Sequence, residues 1–184
     1  FIRAEAQRMG RLIDDLLKLS RVTRQELRRE DVDLTDIAKA IAARLPAEYP
    51  GRTIAFDFPD SLPARGDARL LEIVITNLLD NACKFTARRE AARVALGCED
   101  ADDPVSGRTV RAYFVTDNGE GFDMAHAGRL FGAFQRLHRE SDFPGTGIGL
   151  ATVQRIVRRH GGQAWARART GEGATFYFTL EETR

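Results

Sequence analysis

Three glycines in five positions, Gly145, Gly147 and Gly149, run straight into an amphipathic stretch that ends at Gly161 and Gly162. Glycines so close together exclude ordinary helix or strand over those five positions, yet a helix follows at once. A helix start carries unpaired N–H groups and the positive end of a dipole, and glycine lets backbone approach a ligand closely. A phosphate group satisfies both. The chain must therefore fold so that a glycine loop and a helix N-terminus open onto one cleft.

Its 184 residues leave room for one ordinary domain and an appendage. A formal charge of +1 gives no electrostatic case for nucleic acid. Cys83 and Cys98 lack metal-site or disulfide spacing. No apolar run approaches the ~20 residues of a membrane span, and no secretory signal opens the chain. The expectation is a cytoplasmic chain without direct membrane contact. The opening "FIRAEAQRMG" begins in mid-helix, as expected of part of a longer protein.

Residues 1–30 read as one helix, with Met9, Leu12, Ile13, Leu16, Leu19 and Val22 recurring at helical steps. That stripe packs either on its own domain or in a helical hairpin. Asp33 or Thr35 can cap the next helix, whose Leu34, Ile37, Ile41 and Leu45 face inward and which Pro46 helps to stop. "TIAFDF" at 53–58 reads as a strand, and Asp67 caps a longer helix over 68–85. The Arg65-Gly66-Asp67 triplet is then a strand end and a cap. Residues 92–100 and 108–117 form strands, and 118–146 a long, partly helical, glycine-dotted segment of the kind that carries function. "QAWARAR" and "ATFYFTL" flank "TGEG" as a hairpin, with Phe176, Phe178 and Leu180 on one face. The predicted fold is α/β: a two-layer sandwich, helices over a mixed, mostly antiparallel sheet, preceded by one long helix.

On the 68–85 helix, Leu71, Val74, Leu78 and Ala82 form a core stripe, and Asn77, Asn81 and Lys84 share a neighbouring face. Two amides and an ammonium suit a metal-chelated polyphosphate, though a solvated polar face has the same pattern. Asp117 ends a strand and opens D-x-G-x-G through Gly119 and Gly121. It can accept from an exocyclic amine such as adenine's, or mark a plain turn. Phe131 and Phe134 are core aromatics or anchors of a flap, whose Arg136 and Arg139 could reach a terminal phosphate.

The order of these elements resembles the ATP-binding domain of bacterial sensor histidine kinases. "NLLDNACKFT" is similar to that family's N box, "DNGEGF" to its first glycine box, "LFGAF" to its F box, "GTGIGL" to its second glycine box and "TGEGATFYFTL" to its closing hairpin. The likeness covers 31–184, with "LFGAFQRLH" and "FPGTGIGLATVQRIVRRHGG" closest to phytochrome-type members. It implies the Bergerat fold of gyrase, heat-shock chaperones and mismatch-repair proteins, with ATP and Mg²⁺ as ligands. Asn81 would ligate Mg²⁺, with Asn77 and Lys84 assisting and Phe85 beside them. Asp117 would fix the adenine amine, with Thr175 nearby through water. Gly119, Gly121, Gly145, Thr146, Gly147, Gly149 and Leu150 would shape pocket and lid.

The resemblance also bears on the reaction. Chaperone and gyrase relatives carry a glutamate one turn before the metal-binding asparagine, where Asn77 stands, and an amide is no general base. Phosphoryl transfer needs mainly positioning and charge stabilisation, which suits a kinase whose acceptor is a histidine. His126, His138 and His160 precede "AGRL", "RESD" and "GGQA", none of which matches the family's phospho-acceptor motif. Residues 1–30 resemble the second helix of the dimerisation hairpin, which implies an acceptor upstream of Phe1, a homodimer, an upstream sensor domain and a response-regulator receiver as partner. A kinase-inactive nucleotide-binding or dimerisation module, and an ATPase of this fold, are the alternatives.

Overall fold

The computed structural model describes residues 26–135, 143 and 145–181, together with Met9, Gly10, Ile13 and Leu17, which are helical. The first helix stops short of the expected residue 30. Residues 26–29 are non-helical, and Glu30–Asp33 forms strand β1. Leu12, Leu16, Leu19 and Val22 of its stripe lie outside the described residues. β1 pairs antiparallel with β3, Pro63–Gly66, as a small separate sheet.

Asp33, not Thr35, caps helix α1, Leu34–Ala42, with Oδ1 accepting from the Thr35 N–H at 2.8 Å. Leu34, Ala38 and Ile41 face the core. Pro46 does not stop α1, which ends on its own at Ala42. It sits instead in the first turn of α2, Leu45–Glu48, where its missing N–H removes no helical bond. Helix α3, Ala68–Phe85, starts at the Asp67 cap, whose Oδ1 accepts from the Arg69 N–H at 3.2 Å. Its apolar stripe is sealed: Leu71, Val74, Leu78 and Ala82 are at most 1% exposed.

Five strands run in the order β2–β4–β5–β7–β6: Ile54–Asp57, Ala92–Asp102, Thr109–Asp117, Gly173–Phe178 and Ala164–Arg169. β2 lies parallel to β4, and the other neighbours are antiparallel. Helices α1, α3 and α4, Gly149–Arg159, share one core with Val94, Leu96, Val115, Phe176 and Phe178 on one face of this sheet. The result is the two-layer α/β sandwich with a mixed sheet.

Side-chain alternation sends Tyr177 to the opposite face, where it stacks on Trp165 at 5.3 Å beside Ala101 and Ala112. Leu180 lies past the end of β7, half-buried against the main core, rather than in line on the strand with Phe176 and Phe178. His160, at the end of α4, joins α4 to the start of α3. The Asp67 N–H donates to its Nε2 at 3.0 Å, and its Nδ1–H donates to the Ile156 carbonyl at 2.8 Å. Among the described residues, no helix is long and apolar enough to cross a membrane.

Candidate functional site

The polar stripe of α3 stands beside its buried one, as a helix with residues at steps of four and three must arrange it. Asn77, Asn81, Lys84 and Phe85 are all half-buried. Asn77 Nδ2 donates to the Ile73 carbonyl at 2.7 Å, which directs Oδ1 outward. Lys84 Nζ donates to Asn81 Oδ1 at 3.0 Å and lies 4.6 Å from the centroid of the Phe85 ring.

The second glycine run comes to this stripe. A Cβ on Gly149 would lie 2.6 Å from Asn77 Oδ1, and one on Gly145 would lie 3.3 Å from Lys84 Nζ. Gly147 adopts φ 73°, and its carbonyl accepts from the Phe134 N–H at 3.0 Å. α4 begins at Gly149 with no side-chain cap, which leaves its first N–H groups for another acceptor. Thr146 is half-buried beside Gly147, and Leu150 packs on the core.

Asp117 closes β5 at 7% exposure. Burial pushes its carboxyl up to about 6, while N–H donors from Gly119 and Ala174 and the charge of Arg89 pull the other way. Its Oδ1 accepts from the Gly119 N–H at 2.8 Å. Phe85 O is 2.5 Å from the place a Gly119 Cβ would occupy, so the first glycine loop lies directly on the end of α3. Gly121, at φ 59°, abuts the Arg169 carbonyl, and Arg89 donates to the Gly119 carbonyl at 2.9 Å and to that of Gly171. Arg89 carried no signal in the sequence, where it is one of two adjacent arginines in the turn after α3.

Thr175 is not brought to Asp117. It pairs with Thr116, their hydroxyls 2.7 Å apart, while Ala174 stands opposite Asp117. Alternation therefore turns Thr175 to the far face of the sheet. Phe131 packs partly on the core, whereas Phe134 is 58% exposed at φ 63°. Arg136, Arg139 and His138 lie outside the described residues. His126 is exposed on the 3₁₀ helix Met124–Arg129, and His160 is buried away at the far end of α4.

The donor set fits a chelated polyphosphate. Asn81 offers one amide oxygen, Lys84 one cation, and the glycines leave space a side chain would fill. Among the described residues no cluster of three acidic, histidine or cysteine ligands exists, so a metal here would draw its remaining ligands from phosphates and water.

The family model "Histidine kinase-, DNA gyrase B-, and HSP90-like ATPase" matches residues 66–184. Cyanobacterial phytochrome A of a Nostoc species is 36% identical over 176 residues, covering 94% of this chain and 22% of that protein. Adaptive-response sensory kinase SasA of Thermosynechococcus vestitus is 34% identical, covering 97% of this chain and 46% of that protein. The chain thus spans less than half the length of these relatives. Among solved structures, full-length ShkA in complex with AMPPNP superposes with a TM-score of 0.71 at 29% identity, over 96% of this chain and 36% of that one. Mycobacterial sensor histidine kinase MprB gives a TM-score of 0.65 at 25% identity, over 83% of this chain and 97% of that one. With the second glycine loop set against the α3 polar stripe, a match to the family model over 66–184 and relatives that are histidine kinases, this chain belongs to the histidine kinase-, gyrase- and HSP90-like ATPase family and carries its ATP-binding catalytic domain.

Proposed function

We propose that this chain binds Mg-ATP and passes the γ-phosphoryl group to a histidine other than His126, His138 and His160, from which a response-regulator aspartate receives it. The observation that carries this reading is the meeting of the Asn77–Asn81–Lys84 stripe with the 145–149 loop, beside a buried carboxylate at the end of β5. Asp117 accepts from the adenine amine, and the first glycine loop admits the ring. Asn81 would hold Mg²⁺ through the amide oxygen that accepts from Lys84 here, and Lys84 would meet a phosphate oxygen. The uncapped start of α4 offers N–H donors to the same phosphates. Bound Mg²⁺ would neutralise phosphate charge and orient the chain of phosphates. The acceptor imidazole nitrogen forms the new N–P bond as the bond from the γ-phosphorus to the bridging oxygen breaks and ADP leaves.

Asn77 supports transfer over hydrolysis. Its Nδ2 is committed to the Ile73 carbonyl, and an amide oxygen takes no proton from water. We assign residues 1–30 to a partial dimerisation hairpin and 31–184 to the nucleotide domain; the helical Met9, Ile13 and Leu17, spaced on one face and 62%, 56% and 49% exposed, support a second helix packing there. Arg136 and Arg139 are assigned to phosphate contacts from their place beside Phe131 and Phe134 in the sequence. Calorimetry tests the site: the wild type binds ATP in magnesium buffer, and Asn81→Ala and Asp117→Ala each bind at least tenfold more weakly, a conservative reading of one lost charge-assisted contact. Equal affinity in both variants overturns the assignment.

A further inference from the structure

The last turn of α3 does more than present Asn81 and Lys84. The Phe85 carbonyl accepts from the Glu120 N–H at 3.1 Å, and its ring meets Phe143 edge-on, centroids 5.1 Å apart and planes at 60°. Phe143 is 4% exposed although it lies only two positions before the glycine run. On one side Lys84 Nζ is 4.6 Å from the Phe85 centroid; on the other the Arg88 guanidinium is 5.3 Å from that of Phe143. Two rings thus stand between two cations, in the order Lys84, Phe85, Phe143, Arg88. Ring faces attract cations, and edge-to-face pairs fix each other's tilt. The Lys84 ammonium lies between the Asn81 amide oxygen it donates to, at 3.0 Å, and a ring that Phe143 packs against edge-on. Gly145, a step beyond Phe143, comes within 3.3 Å of that ammonium if a Cβ is built on it.

We propose that Phe143 is a positioning residue of the nucleotide site: braced by Arg88, it fixes the Phe85 ring and so aims the Lys84 ammonium at the nucleotide's phosphates. This rests on the Mg-ATP reading above and extends it. Phe143 acts through Phe85 and Lys84 on phosphate, whereas the base is held at Asp117 by different groups. Its removal therefore weakens binding of phosphates and leaves binding of the nucleoside alone.

The test is displacement of a fluorescent ATP analogue from the whole chain by Mg-ATP and, separately, by adenosine. Phe143→Ala is expected to weaken Mg-ATP by about tenfold and leave adenosine within about twofold, with Phe143→Tyr close to wild type. Lys84→Met added to Phe143→Ala causes little further loss, because both remove one interaction. Equal Mg-ATP affinity in Phe143→Ala and wild type overturns the proposal, as does an equal loss of both ligands, which marks a purely structural role. Should Phe143→Ala fail to fold, Arg88→Gln, at an exposed position, reads the same split between the two ligands, and no split there overturns the proposal. A wild-type chain that binds adenosine but not Mg-ATP overturns the phosphate reading itself, and this proposal with it.

Discussion

Asp117 is a buried carboxylate whose ionisation works against the fold. At 7% exposure it is held near pH 6 by burial, so its ionised form is disfavoured in the fold even though two N–H donors and Arg89 face it. A carboxyl raised above its unfolded value contributes stability below about pH 4, and loses it as pH rises through the folded value. Near pH 8 the charged group therefore strains the fold by up to about 3 kcal/mol, the equivalent of a shift from 3.8 to about 6. Asp117→Asn should raise stability at pH 8 by about 1–3 kcal/mol in urea unfolding while weakening Mg-ATP binding. A variant that is less stable than wild type at that pH would sink the argument. In the wild type, affinity should be flat above pH 7 and fall below pH 6 as the acceptor takes up its proton, measured by calorimetry across pH 5–8. The D-x-G-x-G that Asp117 opens reads equally as a plain turn, and only its place in the order of the other motifs singled the carboxylate out. Thr175 was not, because a two-residue pleat turns a one-position register error into the wrong face of the sheet. Ala174, with no polar atom on its side chain to attract notice, is the residue opposite Asp117.

At the scale of elements, the two helices that build the cleft are tied at the ends remote from it. His160, 1% exposed, accepts from the Asp67 N–H and donates to Ile156, while Arg29 donates to its main-chain carbonyl. The Asp67 carboxylate in turn caps α3 and accepts from the Arg28 N–H at 3.1 Å. The groups facing the imidazole are thus Asp67 from α3, Arg29 from the chain before β1, and Arg159 from α4 itself. Burial is the largest effect and holds His160 below its ordinary value, so the ring is neutral in the fold. The unfolded chain binds this proton first as pH falls, so the contribution of His160 is intact above about pH 6.5 and declines below it. Asp117 acts in the opposite sense over part of the same interval, so the check is the difference between two curves. His160→Ala should lose about 2–4 kcal/mol at pH 7.5, from a cavity and an orphaned Asp67 N–H, and the gap to wild type should narrow toward pH 5. A gap that stays constant across that interval would show that the imidazole does not titrate with folding. None of this was visible in "RRHGG", where the histidine reads as a helix end. α1, α3 and α4 were readable from apolar periodicity and caps, and Pro46 misled because proline starts helices as readily as it ends them. β1 is four residues with three acids and no alternation, so only its pairing reveals it. β3, read in the sequence only as a strand end at Gly66, alternates exposed and buried positions over its four residues.

For the molecule as a whole, the long-range order of motifs in the sequence exposed more than any single element. The pair Asn77 and Lys84, Asp117, and the glycines stand far apart in sequence. Yet the fold sets Gly145 and Gly149 against Lys84 and Asn77, and Gly119 between Asp117 and the end of α3. What stayed hidden was how the two glycine loops are braced, since Phe85, Arg89 and Phe143 act by contact and have no spacing to betray them. The same assembly limits what the chain can do to itself. His160 is buried at the opposite end of α4 from the 145–149 loop, and α4, at 11 residues, puts about 16 Å between its two ends. His126 lies exposed on the 3₁₀ helix after the first glycine loop and is followed by Ala127 rather than an acidic residue. Residues 1–184 incubated with Mg-ATP labelled in the γ-phosphate should therefore acquire no acid-labile label, although they bind the nucleotide. Adding a polypeptide with a histidine hairpin helix of matching family should yield label on that helix and none on this chain. Mass-spectrometric mapping of phosphate to His126, His138 or His160 would overturn the assignment of the acceptor. Label on neither partner, with binding intact, would instead favour the kinase-inactive nucleotide-binding module.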